Sequence, residues 1–115
     1  MERKDLDILV VGDECVDEFV IGANHRLCPE APVPILNPIE TTRNDGMAGN
    51  VVTNLYAMGY DARRVTNMHS RGKFEQTQIV KRRYVDKQTG YILLRVDEND
   101  SVPNAITYEE IVDIM

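Results

Sequence analysis

The sequence has 115 residues, of which 43% are hydrophobic and 28% charged, and its formal net charge is −6 at pH 7. This length suits one small domain, and the composition is that of an ordinary globular protein. An acidic chain does not fit a protein that binds the phosphate backbone of nucleic acids, although a few local cations could hold a small anion. The two cysteines form no CxxC pair and the two histidines lie far apart, so neither a disulfide framework nor a metal site is predicted.

The chain begins with a short apolar strand. Residues 7 to 14, DILVVGDE, form a continuous apolar run that ends at Gly12, which predicts a central strand buried on both faces. No apolar run reaches the length of a signal peptide or a membrane span. We therefore expect a cytoplasmic protein.

A proline-rich ribbon follows. In residues 15 to 22 neither face is purely apolar, which predicts a strand that leaves the core. Residues 28 to 36, CPEAPVPIL, then place three prolines among apolar side chains. Proline lacks a backbone donor and is confined to the edges of sheets. Two or three antiparallel edge strands, over about residues 14–43, are expected to project from the central sheet.

The rest of the sequence contains signals for helices, strands and turns. Asn44, Asp45 and Gly46 are typical turn residues, and apolar residues from Ala48 recur at helical spacing up to Met58, followed by Gly59 as a C-terminal cap. Residues 77 to 85 and 91 to 98 predict two strands joined by a turn at Gly90. Thr107 and Glu110 form a capping box for a last helix.

Three groups of polar residues are candidates for chemistry, and each has a plain alternative. The loop from Gly46 through Gly49 to Asn50 could approach a ligand closely, or it could simply be a turn and a helix start. Asp13 and Asp17 follow the first strand, where ligands bind in open α/β sheets, but either could be a solvated acid. Lys81 and Arg83 share one face of a strand and could hold a phosphate, or they could mark a charged edge strand. Arg95 and Asp97 also share a face and are expected to pair.

Together these segments resemble the N-terminal part of the ribokinase-like, or PfkB, carbohydrate kinases. The likeness is carried by ILVVGDECVDEFVIG, HRLCPEAPVPIL and GMAGNVVTNLYAMG, and more loosely by IVKRRYV and ILLRVDEND. Among these kinases the sequence is most similar to the heptose-7-phosphate kinase domain of the bifunctional enzyme of ADP-heptose synthesis. The resemblance implies an α/β fold, a partial ribokinase-like sheet with helices and a projecting antiparallel β-lid, in a single domain over residues 1–115.

The resemblance also assigns roles to residues. It implies that Asp17, with Asp13 beside it, binds sugar hydroxyls, that the sugar loop and its helix span about residues 44–59 and include Gly46, Gly49 and Asn50, and that Lys81 and Arg83 contact the phosphate of a sugar phosphate. It further implies ATP and Mg²⁺ as cofactors of the complete kinase and a homo-oligomer formed through the lid. No catalytic residue, metal ligand, nucleic acid or membrane is expected for this chain.

The sequence also departs from the family pattern. The family loop reads G-G-A-[AG]-N, whereas Met47 replaces its second glycine and is expected to crowd or reshape the sugar pocket. An α/β unit after Gly59 and the half of the fold with the anion hole, the catalytic base and the ATP site are expected to be missing. Two functions stay open: the substrate-binding and lid half of a kinase completed by another chain, or a non-catalytic module for sugar-phosphate binding or dimerisation.

Overall fold

A computed structural model describes residues 3–66, 78–100, 106 and 108–114. The elements, in chain order, are β1 (Lys4–Val11), β2 (Glu14–Leu27), β3 (Pro34–Met47), α1 (Ala48–Ala57), β4 (Tyr60–Val65), β5 (Ile79–Asp86), β6 (Ile92–Glu98) and α2 (Tyr108–Ile114). The chain therefore has the mixed α/β fold predicted from its sequence. Residues 67–77 and the predicted cap Thr107 lie outside the described residues.

The first strand lies in a small parallel sheet. Strand β1 pairs with β4 alone among the described strands, and α1 packs against both of them. Most of β1 is exposed, and its apolar residues Leu6 and Val11 are 56% and 47% accessible. The prediction of a strand buried on both faces was wrong, because a strand with one neighbour and one covering helix cannot be enclosed. Gly12 ends the strand as predicted, with φ 156°.

A second sheet has four strands in the order β3-β2-β5-β6. Strand β2 pairs antiparallel with β3 and parallel with β5, and β6 pairs antiparallel with β5. The antiparallel pair β2–β3 forms the predicted lid, but β2 is an internal strand and not an edge. Pro34 and Pro38 both lie in β3 at the edge of the sheet, where a missing backbone donor costs no ladder bond.

Strand β3 runs directly into helix α1. Asn44, Asp45 and Gly46 were predicted to be turn residues, but they lie in β3 because each is paired with a residue of β2. Met47 carries the sharp change of direction, with φ 54° and ψ −127°. The predicted end of the helix is confirmed, since Gly59 has a φ of 97° and donates its backbone N–H to the Tyr56 carbonyl at 3.0 Å.

The hairpin between β5 and β6 is also confirmed. Gly90 has a φ of 77° and donates its N–H to the Asp86 carbonyl at 2.8 Å. The Asp86 carboxylate accepts the Thr89 hydroxyl at 2.7 Å, which closes the turn locally. The turn residues thus act as their sequence predicts.

The core of the molecule is small. The radius of gyration is 18.2 Å, whereas a compact domain of this length has about 13 Å. Among the described residues the buried apolar side chains are Cys15, Val20, Ala48, Val65 and Ile79. Within the same residues no helix has the length and apolar character required to cross a membrane.

Candidate functional site

A cleft of about 640 Å³ opens between the lid strands and the start of α1. Its lining residues are Val16, Asp17, Phe19, Arg43, Asn44, Asp45, Asn50 and Thr53. Two of the predicted site residues, Asp17 and Asn50, therefore meet in one cleft. They come from β2 and α1, which are brought together because β3 pairs with β2 and then continues into the helix.

The carboxylate of Asp17 is held in place by Arg83. Nη1 of Arg83 donates to Oδ1 of Asp17 at 2.9 Å, and the Arg83 side chain is 19% exposed and the Asp17 side chain 26%. The guanidinium of Arg83 also lies 5.2 Å from the ring centroid of Phe19, within the range of a cation–π contact. The acid is thereby fixed at the cleft with lone pairs left to accept hydroxyl donors.

Gly46 leaves the space that the Asp17 carboxylate occupies. A Cβ at this position would lie 2.5 Å from Sγ of Cys15 and 2.6 Å from Oδ2 of Asp17. Both distances are far below van der Waals contact. Glycine is therefore required at this position of β3, because it leaves room for the Asp17 carboxylate.

The Cys15 thiol is buried beneath the same group of charges. Its pKa is raised by burial first and by the Asp17 carboxylate second, while Lys81 and Arg83 act in the opposite direction. The thiol is therefore neutral at pH 7. The register places Lys81 directly opposite Asp17, and Arg83 is bonded to the same carboxylate.

Lys81 and Arg83 lie on an internal strand. Strand β5 lies between β2 and β6, so the alternative interpretation as a charged edge strand was wrong. Lys81 is directly opposite Asp17 in the parallel register, its side chain is 18% exposed, and its ammonium is 3.9 Å from the Asp100 carboxylate. Half-buried cations inside a sheet are costly unless they are paired with anions, and here Asp100 pairs with Lys81 and Asp17 with Arg83.

The other predicted residues lie at the junction of β3 and α1. The Asp13 side chain is exposed, and its carbonyl accepts the N–H of Ala48 at 3.0 Å. Gly49 is buried, and a Cβ there would lie 3.0 Å from Oε2 of Glu14. Met47 is not among the residues that line the cleft within the described part of the chain, and its side chain is 42% exposed. The expectation that Met47, in place of the family's glycine, crowds the pocket was wrong. The replacement bears on the backbone conformation at residue 47 and not on the volume of the cleft.

Two buried glutamates on the opposite face were missed by the sequence analysis. Glu14 accepts hydrogen bonds from the Thr66 hydroxyl at 3.0 Å and from Arg64 at 3.3 Å. Glu18 accepts one from Nε of Arg82 at 2.9 Å. Both acids are 6% exposed. The available signal was their alternation with Val16 and Val20, which places all four on one face of β2.

Comparison with known proteins identifies relatives of the chain. No protein-family model matches it. A carbohydrate kinase from Agrobacterium tumefaciens aligns in structure with a TM-score of 0.45 and 14% identity, covering 85% of this chain and 36% of that protein. The bifunctional protein HldE of Syntrophotalea carbinolica is 34% identical over 94 residues, covering 82% of this chain. The HldE of Desulfatibacillum aliphaticivorans is 50% identical over 52 residues, covering 45% of this chain.

These sequence matches confirm the recognition made from the motifs. The chain is a sugar-kinase-related protein with part of a ribokinase-like α/β fold. In particular, it is a relative of the HldE proteins, as the proline-rich segment and the glycine loop predicted. It spans only 19% and 11% of the length of the two HldE proteins compared.

Proposed function

We propose that this chain binds a sugar phosphate with the substrate-binding and lid part of a carbohydrate kinase. The supporting observation is the Asp17–Arg83 pair above Gly46, at the cleft that also contains Asn50. Asp17 and Asn50 offer acceptors and a donor to sugar hydroxyls, while Lys81 and Arg83 offer positive charge to the phosphate. The protein acts in the cytoplasm in this proposal.

The described residues are assigned substrate binding in this proposal and no phosphoryl transfer. Within the described residues no three His, Cys, Asp or Glu side chains are grouped as a metal site, so these residues form no all-protein cage for Mg²⁺. We therefore assign no step to ATP or Mg²⁺ on this chain. The role of its own residues is to bind the sugar phosphate and to orient it.

Calorimetric titration with heptose 7-phosphate, without ATP, tests the binding function. The unaltered chain is expected to bind saturably, and Asp17→Asn is expected to weaken binding at least tenfold, since a hydrogen bond to a charged group contributes about 1.5–3 kcal/mol. Asn50→Ala should weaken binding in the same direction.

Asp7→Asn is a matched control for Asp17→Asn. Asp7 also pairs with an arginine, Arg63, at 2.9 Å, but it is 80% exposed and lies on β1 outside the cleft. This variant should bind like the unaltered chain. Absence of binding by folded, unaltered protein would contradict the proposed function.

A second candidate function is dimerisation through the lid without catalysis. Large apolar side chains of the lid region are exposed: Leu27 is 64%, Val33 48% and Ile39 56% accessible. Contiguous exposed apolar surface marks sites of protein association, and in this second candidate function these side chains belong to one such surface. We therefore expect a homo-oligomer, with the lid as its interface.

Sedimentation analysis of the Ile39→Glu variant tests this candidate. A charge in an apolar interface is costly to bury, so the variant is expected to dissociate at concentrations where the unaltered chain is associated. Met58→Glu is the control, because Met58 is 58% exposed but follows α1 outside the lid. An unaltered chain that is monomeric at high concentration would exclude this function.

A further inference from the structure

The face of the four-stranded sheet that carries Asp17 extends beyond the predicted site. In the observed register Lys81 is opposite both Asp17 of β2 and Asp97 of β6, and Arg83 is opposite Arg95 of β6. Residues directly opposite each other project from the same face of a sheet. The polar face therefore continues across three strands, from Asp17 to Arg95.

The pairing of Arg83 with Arg95 is unfavourable in the absence of an anion. Like charges directly opposite on antiparallel strands destabilise the pair. Each arginine is paired with a carboxylate, Arg83 with Asp17 of the neighbouring strand β2 at 2.9 Å and Arg95 with Asp97 of its own strand through two bonds of 2.8 Å. The register thus places two arginines opposite each other on neighbouring strands, whose backbones lie about 5 Å apart.

Both guanidinium groups keep donors for a further acceptor. Arg95 uses Nε and Nη2 for Asp97, and Arg83 uses Nη1 for Asp17 and for the Lys81 carbonyl. A guanidinium has five N–H groups, so each of the two side chains has donors that these contacts do not use. The Arg95 side chain is 45% exposed and can be reached by a ligand.

The Asp97 carboxylate keeps Arg95 oriented at neutral pH. Hydrogen bonds from Arg95 are the main reason that the pKa of Asp97 is lowered, against a smaller effect of desolvation, and Lys81 and Arg83 lower it further. Asp97 is therefore ionised wherever the protein would meet its ligand. The same influences place Lys81, Arg83 and Arg95 around one acid.

We propose that Arg95 is a further phosphate-binding residue, which together with Arg83 and Lys81 forms an anion subsite on the sheet, and that Asp97 positions it. This proposal rests on the proposed function and deepens it. Asp17 and Arg95 lie two strands apart and are offset by two residues along the strands, a separation of about 12 Å. The site therefore selects sugar phosphates whose phosphate is remote from the hydroxyl groups that Asp17 binds.

The test compares heptose 7-phosphate with the same heptose lacking its phosphate, by calorimetry on the full chain. Arg95→Gln is expected to weaken binding of the phosphorylated sugar about tenfold and to leave binding of the free sugar unchanged. Asp97→Asn should weaken binding of the phosphorylated sugar by less, because it loosens Arg95 without removing it. Arg95→Lys, which keeps the charge but not the fork, should fall between the unaltered chain and Arg95→Gln.

Arg63→Gln is the matched control. Arg63 also makes a two-bond contact with an aspartate, Asp7, at 2.9 and 3.0 Å, but it belongs to β4 of the other sheet. It should bind both sugars like the unaltered chain. Circular dichroism of each variant establishes that it is folded, and Arg95→Lys provides the result if Arg95→Gln does not fold.

The outcomes separate this proposal from the function on which it rests. If the unaltered chain binds neither sugar, both fail. If Arg83→Gln weakens binding of the phosphorylated sugar while Arg95→Gln and Arg95→Lys do not, the function stands and the role of Arg95 is overturned. Equal losses for the phosphorylated and the free sugar would also overturn it, since they indicate a purely structural residue.

Discussion

Replacing Gly46 with alanine is expected to abolish measurable sugar-phosphate binding and to lower the free energy of unfolding by about 1–3 kcal/mol. The new methyl group would lie 2.5 Å from Sγ of Cys15 and 2.6 Å from Oδ2 of Asp17. Cys15 is buried, with only 4% of its surface exposed. Asp17 must then move, and its 2.9 Å bond to Arg83 is lost with it.

A double variant that restores part of the space beside residue 46 separates the effect on stability from the effect on binding. In the double variant Cys15→Ala/Gly46→Ala the contact with sulfur is removed, while the contact with the Asp17 carboxylate remains. Part of the lost stability should return in urea unfolding, but binding should not. Full recovery of binding in the double variant would show that the Asp17 carboxylate does not need the space above Gly46.

A glycine elsewhere in the lid provides the steric control. A Cβ at Gly22 would clash with the backbone carbonyl of Asn37, which lies on β3 away from the cleft lining. Gly22→Ala should therefore destabilise the chain at least as much as Gly46→Ala. Its folded fraction should still bind the sugar phosphate with unchanged affinity. Equal loss of affinity in both variants would attribute the effect of Gly46→Ala to general destabilisation.

Local features of this fold could be predicted from the sequence because their causes are local. The helix α1 and its end at Gly59 follow from apolar spacing and from the conformational freedom of glycine. The hairpin follows from the residues before Gly90. In each case the interactions that decide the structure lie within a few residues of one another.

The neighbours of each strand could not be predicted in the same way. Strand β5 was assigned a possible edge position because it carries three consecutive cations, Lys81 to Arg83. It is internal because β2 pairs with it from more than 60 residues earlier in the chain. The same parallel pairing brings Asp17 to Arg83, so the contact at the centre of the site depends on topology and not on a local pattern. Only the resemblance to a kinase family indicated that these residues would meet.

Replacing Met47 with glycine is expected to raise the free energy of unfolding, whereas Gly46→Ala is expected to lower it. Its φ of 54° and ψ of −127° lie in a region that residues with a Cβ avoid, at a cost of about 1–3 kcal/mol. Met47→Gly removes this strain, but it also raises the conformational entropy of the unfolded chain, which lowers the free energy of unfolding by about 0.5–1 kcal/mol. The net expected result is a gain of about 1 kcal/mol in the free energy of unfolding. For a chain of this size, that corresponds to a rise in Tm of about 4–8 °C.

Met58→Gly separates relief of strain from the general effect of a methionine-to-glycine change. Met58 is also exposed, at 58% against 42% for Met47, but its φ of −86° and ψ of −1° are ordinary for any residue. This variant should therefore lose stability by about 0.5–1 kcal/mol. Urea unfolding of both variants at one fixed protein concentration measures the difference, since association would shift the midpoint. A loss of stability in Met47→Gly equal to that in Met58→Gly would show that the backbone at residue 47 is not strained. A gain would show that the family's glycine at this position serves the conformation of the loop, and that this chain retains that conformation despite the methionine.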